Sequence, residues 1–246
     1  MADAGSAPAG LARRIARIVR ILEVFHGPCP PLRPEKPLDG LIRTVLSQHT
    51  SDVNSDAAYR SLRRAFPAWE ACLAASPGAV ERAIRRGGLA RRKSRTIHGV
   101  LRCLRRSRGR LSLDFLSRWP TDRARAYLLG MPGVGPKTAA CVLLFCLGRP
   151  ALPVDTHVHR VARRLGLIPG RTSARRAHGL LEAACPADLV YAFHMLLIRH
   201  GRAVCRAVRP RCRACPLAPL CPSARPAISS RRRDCLPRRG RSCSPA

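Results

Sequence analysis

Residues 128–160 read LLGMPGVGPKTAACVLLFCLGRPALPVDTHVHR. Leu128 and Leu129 close an apolar run, and a tight turn of small residues follows. Gly130, Gly133 and Gly135 allow a positive φ or a close approach of a partner to the backbone. Pro136 brings the fixed φ of a first helical position, where its missing N–H costs nothing. Residues 137–147 then run apolar, with Ala139 and Ala140 small enough for close packing. The reading is a helix ending near Leu129, a hairpin, and a second helix whose first N–H groups point outward. Those groups and the positive end of the helix dipole suit a phosphate. A grip on phosphates holds a nucleic-acid backbone without reading its bases.

Two residues in the stretch look chemical. The chain has 46 Lys+Arg, yet its lysines are only Lys36, Lys93 and Lys137. Arginine keeps its proton, whereas lysine can lose one and become a nucleophile. At Lys137, in the first helical turn, the dipole disfavours positive charge and so favours the free amine. The hairpin alone leaves a phosphate-contacting role for Lys137 equally open. Asp155, taken alone, reads as a cap for the helix that follows it.

GVGPKTAA followed by PVDTHVHR, with Asp155 eighteen positions after Lys137, resembles the endonuclease III branch of the helix–hairpin–helix DNA glycosylase superfamily. The resemblance implies that Lys137 is a Schiff-base nucleophile and Asp155 an essential catalytic carboxylate. The pairing at this spacing carries the likeness, because ligases, polymerases and junction-binding proteins share the hairpin without it.

Composition sets the bounds. At 246 residues the chain can bury one large or two small cores. A hydrophobic content of 46% separates it from disordered basic tails. The formal charge of +32 points to a polyanionic partner, with nucleic acid the first candidate. No apolar run is long enough to span a membrane. The N-terminal stretch with Arg13, Arg14 and Arg17 faintly resembles a transit peptide. Leu11, Ile15, Ile18, Leu22 and Phe25 fit a core helix, which is the preferred reading. A cytoplasmic, nucleoid-associated location is expected for a bacterial source, with organelle or nucleus left open, and the protein is expected to be a monomer.

Residues 27–37 form a Pro-rich connector. Leu38 to Ser47 reads as a buried helix, and Ser51 or Asp52 can cap the next one through Ala65. Between them lies LSQHTSDVN, similar to a Ser/Gln/Thr segment of endonuclease III proteins. The resemblance implies that Gln48 enters the gap left by a flipped base, where an amide offers both donors and acceptors. GGLARRKSRTI resembles the second loop of that family and makes Leu89 an apolar wedge between bases. Arg91, Arg92, Lys93 and Arg95 are expected on the phosphates beside it, with Gly133 and Gly135 contacting DNA at the hairpin. The connection from Leu101 through LSLDFLSRWPTDRARAYL is longer than the simplest members have. No segment alternates with period two, so the reading is all-α.

The cysteines divide into two sets. Cys29, Cys72, Cys103, Cys141, Cys146 and Cys185 are scattered and read as small core residues. Cys205, Cys212, Cys215 and Cys221 form C-x6-C-x2-C-x5-C, a four-thiolate set suited to an iron–sulfur cluster or zinc. The same spacing follows LIRHGRAVC in endonuclease III relatives, and the resemblance implies a [4Fe–4S] cluster. A disulfide framework does not fit a cytosolic chain of this size. Beyond Pro222 the Ser/Pro/Arg-rich sequence reads as a disordered basic tail, and Cys235 and Cys243 have no assigned role.

The expectation is an all-α protein with two helical domains flanking a DNA-binding cleft, a helix–hairpin–helix and a cluster loop. Its divisions are residues 1–35 as an N-terminal helix of the cluster domain and 36–149 as a six-helix domain. Residues 150–222 complete the cluster domain, and 223–246 form the tail. The resemblance implies a bifunctional glycosylase and abasic-site lyase acting on double-stranded DNA with damaged bases, oxidised pyrimidines foremost, or abasic sites. The alternatives are a mismatch-specific monofunctional glycosylase and a non-catalytic hairpin DNA-binding protein.

Overall fold

A computed structural model describes residues 9–224, so the basic tail and Cys235 and Cys243 lie outside the described residues. The described chain is helical throughout and contains no strand. It divides into two compact units, residues 30–155 and residues 9–29 with 156–224.

The central unit holds α2 (Pro37–Ser47), α3 (Asp52–Ala65), α4 (Trp69–Ala74), α5 (Pro77–Ala83), α6 (Ala90–Arg108), α7 (Thr121–Leu129) and α8 (Pro136–Cys141). That is seven α-helices where six were expected, because Ser76 and Pro77 start a separate short helix after α4. Ser76 Oγ accepts from the Ala79 N–H and Pro77 sits in the first turn. Ser51 likewise caps α3, accepting from the Asn54 N–H. The core joins Leu41, Ile42, Val45 and Leu46 of α2 to Leu62, Ile97, Leu101, Leu104, Ala139 and Ala140. These side chains recur at three- and four-residue intervals on their helices, so each helix turns one apolar face inward. Arg43 crosses the surface of this unit, paired with Glu35 at 3.2 Å and Asp56 at 3.3 Å and stacked on Tyr59.

The other unit packs α1 (Ala9–His26), α9 (Thr156–Arg164), α10 (Ala174–Ala184) and α11 (Val190–Ala203) against one another. Ile15, Ile18, Val19 and Leu22 of α1 are buried, so this segment is a core helix. Phe25, expected inside, lies in the last turn of α1 against His26 and is 46% exposed.

No helix of the described residues is long and apolar enough to cross a membrane.

Candidate functional site

The hairpin forms as its sequence dictates, with one refinement. Of the three glycines only Gly133 uses the left-handed region, at φ +73°. A Cβ there would also meet the Thr96 side chain at 2.7 Å, so glycine is required twice over. Gly135 has φ −96° and ψ 178°, extended backbone that any residue adopts. Nothing lies within 4 Å of the place its Cβ would fill. Its use is the open approach it leaves over the start of α8. Pro136 opens that helix, which continues beyond Cys141 as a π-helical turn, Val142–Cys146. Such widened turns concentrate at functional sites.

Lys137 is half-buried in the first turn of α8, and its charge bears on the thiol of Cys141, one turn further on. Asp155 is half-buried at the end of the same unit. Its charge also bears on Cys141. Lys137 and Asp155 therefore both act electrostatically on one buried thiol. Burial pushes that thiol up, which keeps it protonated; Lys137 pulls the other way and Asp155 adds to the rise.

Gln48 follows α2, and its Nε2 donates to Thr138 Oγ1 at 3.3 Å, directly beside Lys137. His49 next to it is held at φ +52°. Leu89 stands at φ +47° and ψ 34° and is 52% exposed. A leucine in the left-handed region costs of order 1–2 kcal/mol, and an exposed one recovers nothing from burial. Leu89, Arg91, Arg92, Arg95 and Thr96 line one open hollow of ≈ 650 Å³. Thr96 also abuts Gly133, so this basic hollow and the hairpin are neighbours.

Lys93 is the exception among the expected phosphate contacts. It is 2% exposed, and its Nζ donates to the Leu46 carbonyl at 2.6 Å and the Gly87 carbonyl at 2.8 Å. Its side chain turns inward because two helix-terminal carbonyls need a donor there. Burial pushes its pKa down. Lys93 is a structural clamp, while Arg91 remains exposed.

In the other unit Cys205, Cys212, Cys215 and Cys221 are unpaired thiols lining one hollow of ≈ 70 Å³ with Arg164, Val204 and Pro210. Among the described residues no three His, Cys, Asp or Glu side chains converge closely enough for a single ion. The four thiols offer soft donors to a metal centre, an iron–sulfur cluster or zinc. Burial pushes the Cys215 thiol up to about 11, with the other three cysteines adding to the rise. A cation bound by the sulfurs would supply the missing compensation.

The loop is held by residues the sequence did not single out. Arg164 donates to the carbonyls of Arg206 and Ala207 and lies 3.4 Å from Cys205 Sγ. Arg160 donates to the carbonyls of Cys205 and Gly201. His200 Nε2 lies 3.4 Å from Cys215 Sγ, and its Nδ1 lies 3.2 Å from His26 Nε2. Burial, then His26, pulls His200 down to about 4, so the ring is neutral. Two arginines four apart on α9, facing a Cys-rich loop, were the available signal. Arg206, Arg209, Arg211 and Arg213 of the loop are all exposed.

A helical fold with a glycine hairpin, a lysine opening the next helix and a following carboxylate defines a class. The chain belongs to the HhH-GPD superfamily of base excision DNA repair proteins, whose profile matches residues 42–187. Within it the chain is similar to Endonuclease III of Rickettsia felis, 31% identical over 84% of this chain and 94% of the relative. Endonuclease III of Escherichia coli is 32% identical over 85% and 95%. A putative DNA glycosylase of Arabidopsis thaliana is 39% identical over 68% of this chain, which spans 57% of the plant protein. Among solved structures, a non-covalent Endonuclease III–DNA complex superposes with a TM-score of 0.76 at 29% identity, covering 89% of this chain and 98% of that one. A trapped Endonuclease III–DNA covalent intermediate gives 0.74 at 28%, covering 88% and 98%.

Proposed function

We propose that this protein is a bifunctional DNA glycosylase and abasic-site lyase, with Lys137 as nucleophile and Asp155 as the catalytic carboxylate. The observation that carries the reading is Gln48 reaching Thr138 beside Lys137, and the charges of Lys137 and Asp155 both bearing on the buried Cys141 support it. Similarity to an Endonuclease III captured as a covalent DNA intermediate supports it.

The chemistry follows from the groups present. The damaged nucleotide leaves the stack, since its C1′ is not accessible in an intact duplex. The vacated space is filled by Gln48, and Leu89 wedges the bases apart, which justifies its strained backbone. The Lys137 amine attacks C1′, the base departs, and the opened sugar becomes a Schiff base on Nζ. Loss of a C2′ proton then breaks the C3′–O bond, so the strand is cut 3′ to the lesion. Asp155 stabilises the positive charge that grows on the sugar and takes part in moving the lysine proton. Arg91, Gly133 and Gly135 contact the phosphates that hold this geometry.

Cys205, Cys212, Cys215 and Cys221 are assigned to a [4Fe–4S] cluster, supported by their spacing, their four free thiols and the hollow between them. The cluster would fix the loop and its exposed arginines for phosphate contact, and all four protein positions would be filled, leaving none for substrate. The substrates proposed are duplexes bearing oxidised pyrimidines, and incubation with single-lesion duplexes tests this. Release of oxidised pyrimidines with strand cleavage is expected; release of mismatched adenine without cleavage would favour the monofunctional alternative.

A further inference from the structure

Gln48 and Leu89 lie on separate loops, one closing α2 and the other opening α6. Each loop carries a non-glycine residue in the left-handed region, His49 at φ +52° beside Gln48 and Leu89 itself at φ +47°. Backbone of this kind persists only where its surroundings hold it.

One buried nitrogen holds both loops. Lys93 Nζ donates at 2.6 Å to the carbonyl of Leu46, two residues before Gln48. It also donates at 2.8 Å to the carbonyl of Gly87, two residues before Leu89. The Lys93 backbone N–H donates to the Leu89 carbonyl at 3.0 Å, so the wedge residue is held by the same residue through the main chain. The junction is tight. A Cβ at Gly87 would meet Ala58 Cβ at 3.1 Å and lie 4.0 Å from both the Leu46 oxygen and Lys93 Nζ.

We propose that Lys93 is a positioning residue that ties the Gln48 loop to the Leu89 loop, so that the two side chains enter a duplex as one unit. The proposal rests on reading Gln48 and Leu89 as the residues that enter the duplex. Lysine suits the task because a single terminal nitrogen carries three donors on a flexible stem, whereas arginine spreads its donors over a rigid planar fork. Burying that nitrogen is costly unless its donors are used, so the position of each carbonyl is fixed by the same centre. A shift of one loop then costs a bond that also defines the other.

The test uses the full chain and Lys93→Met, which keeps a long unbranched side chain and removes its donors. Hydrogen–deuterium exchange without DNA should become faster at residues 46–50 and at residues 87–89 together. A change in one loop alone, or in neither, would overturn the proposal.

The second measurement follows 2-aminopurine placed beside a single oxidised pyrimidine in a duplex, whose fluorescence rises as the bases unstack. Lys93→Met should slow this rise roughly three- to tenfold, the worth of one hydrogen bond. Leu104→Ala, a buried change farther along α6, should also lower the melting temperature yet leave the rise near wild type. An equal slowing in Leu104→Ala would reduce Lys93 to a stability role and overturn the proposal. Should Lys93→Met not fold, Lys93→Gln, shorter and with neutral donors, carries the same expectations.

Gln48→Ala, Leu89→Ala and the double variant are then compared in the wild-type and Lys93→Met backgrounds. With Lys93 present, the double variant should lose little more than the larger single loss, because either change already disables the unit. In Lys93→Met the two losses should multiply, as for independent sites. Losses that multiply in both backgrounds would overturn the proposal and leave Gln48 and Leu89 as inserting residues. No loss from either single variant would overturn the insertion reading, and the proposal with it.

Discussion

Gln48 Nε2 donates to Thr138 Oγ1 at 3.3 Å, which ties the loop after α2 to the residue next to Lys137. Ninety positions apart in sequence, the two are linked because α2 packs directly on α8. Whatever Gln48 touches is therefore registered against the amine.

This link makes a separable prediction. Gln48→Ala should slow base excision from duplex DNA roughly tenfold, because the orphaned partner base loses its amide contacts. Cleavage at an abasic site, which has no base to remove, should slow less. Single-turnover rates on the two substrates decide it, and equal losses would mean Gln48 only shapes the turn.

Leu89 predicts an exchange of stability against function. Leu89→Gly removes a left-handed leucine, so the melting temperature should stay level or rise, by up to about 1–2 kcal/mol in stability. Base excision should fall, because the apolar wedge is gone. A variant that melts higher and excises at the wild-type rate would show that the strain at Leu89 serves neither the wedge nor the site.

Lys93 and Arg91 should behave as opposites although two residues apart. Lys93→Ala strands the carbonyls of Leu46 and Gly87 and should cost about 1–3 kcal/mol or more in stability, with the salt slope of DNA binding unchanged. Arg91→Ala should leave stability within about 0.5 kcal/mol and reduce the slope of log affinity against log salt by about one. Lys93 also adds a pH dependence. Its folded pKa lies below the ordinary 10.5, so between the two the unfolded chain binds more protons and stability rises with pH. Denaturant titrations in the alkaline range should show this rise in wild type and lose it in Lys93→Met.

Much of this was legible in the sequence, for reasons that differ by residue. The hairpin could be read because Gly133 and Pro136 are constrained locally, by their own φ. The cap at Ser51 could be read from its place ahead of the next apolar-periodic segment. Side-chain direction could not. Arg91 and Lys93 look alike in a basic run, and only the carbonyls of Leu46 and Gly87, brought in by tertiary packing, turn one inward. Cys141 read as a core residue, which it is by burial. Arg160, Arg164 and His200 support the cysteine loop through contacts about 15 to 45 residues away in sequence, and composition gives no sign of those.

The cysteine centre is tested by metal content. Protein purified without oxygen should be yellow-brown and carry about four iron atoms per chain. Cys212→Ala should lose iron, solubility and DNA affinity before it affects chemistry at Lys137. One zinc and no iron would contradict the assignment.

The central claim is that the Lys137 amine becomes covalently joined to the sugar, and borohydride reduction on an abasic-site duplex tests it most directly. Wild type should give a stable protein–DNA adduct whose linked peptide contains Lys137. Lys137→Ala should bind the duplex and give none, and Asp155→Asn should bind and trap far more slowly. An adduct of wild-type yield from Lys137→Ala would contradict the account.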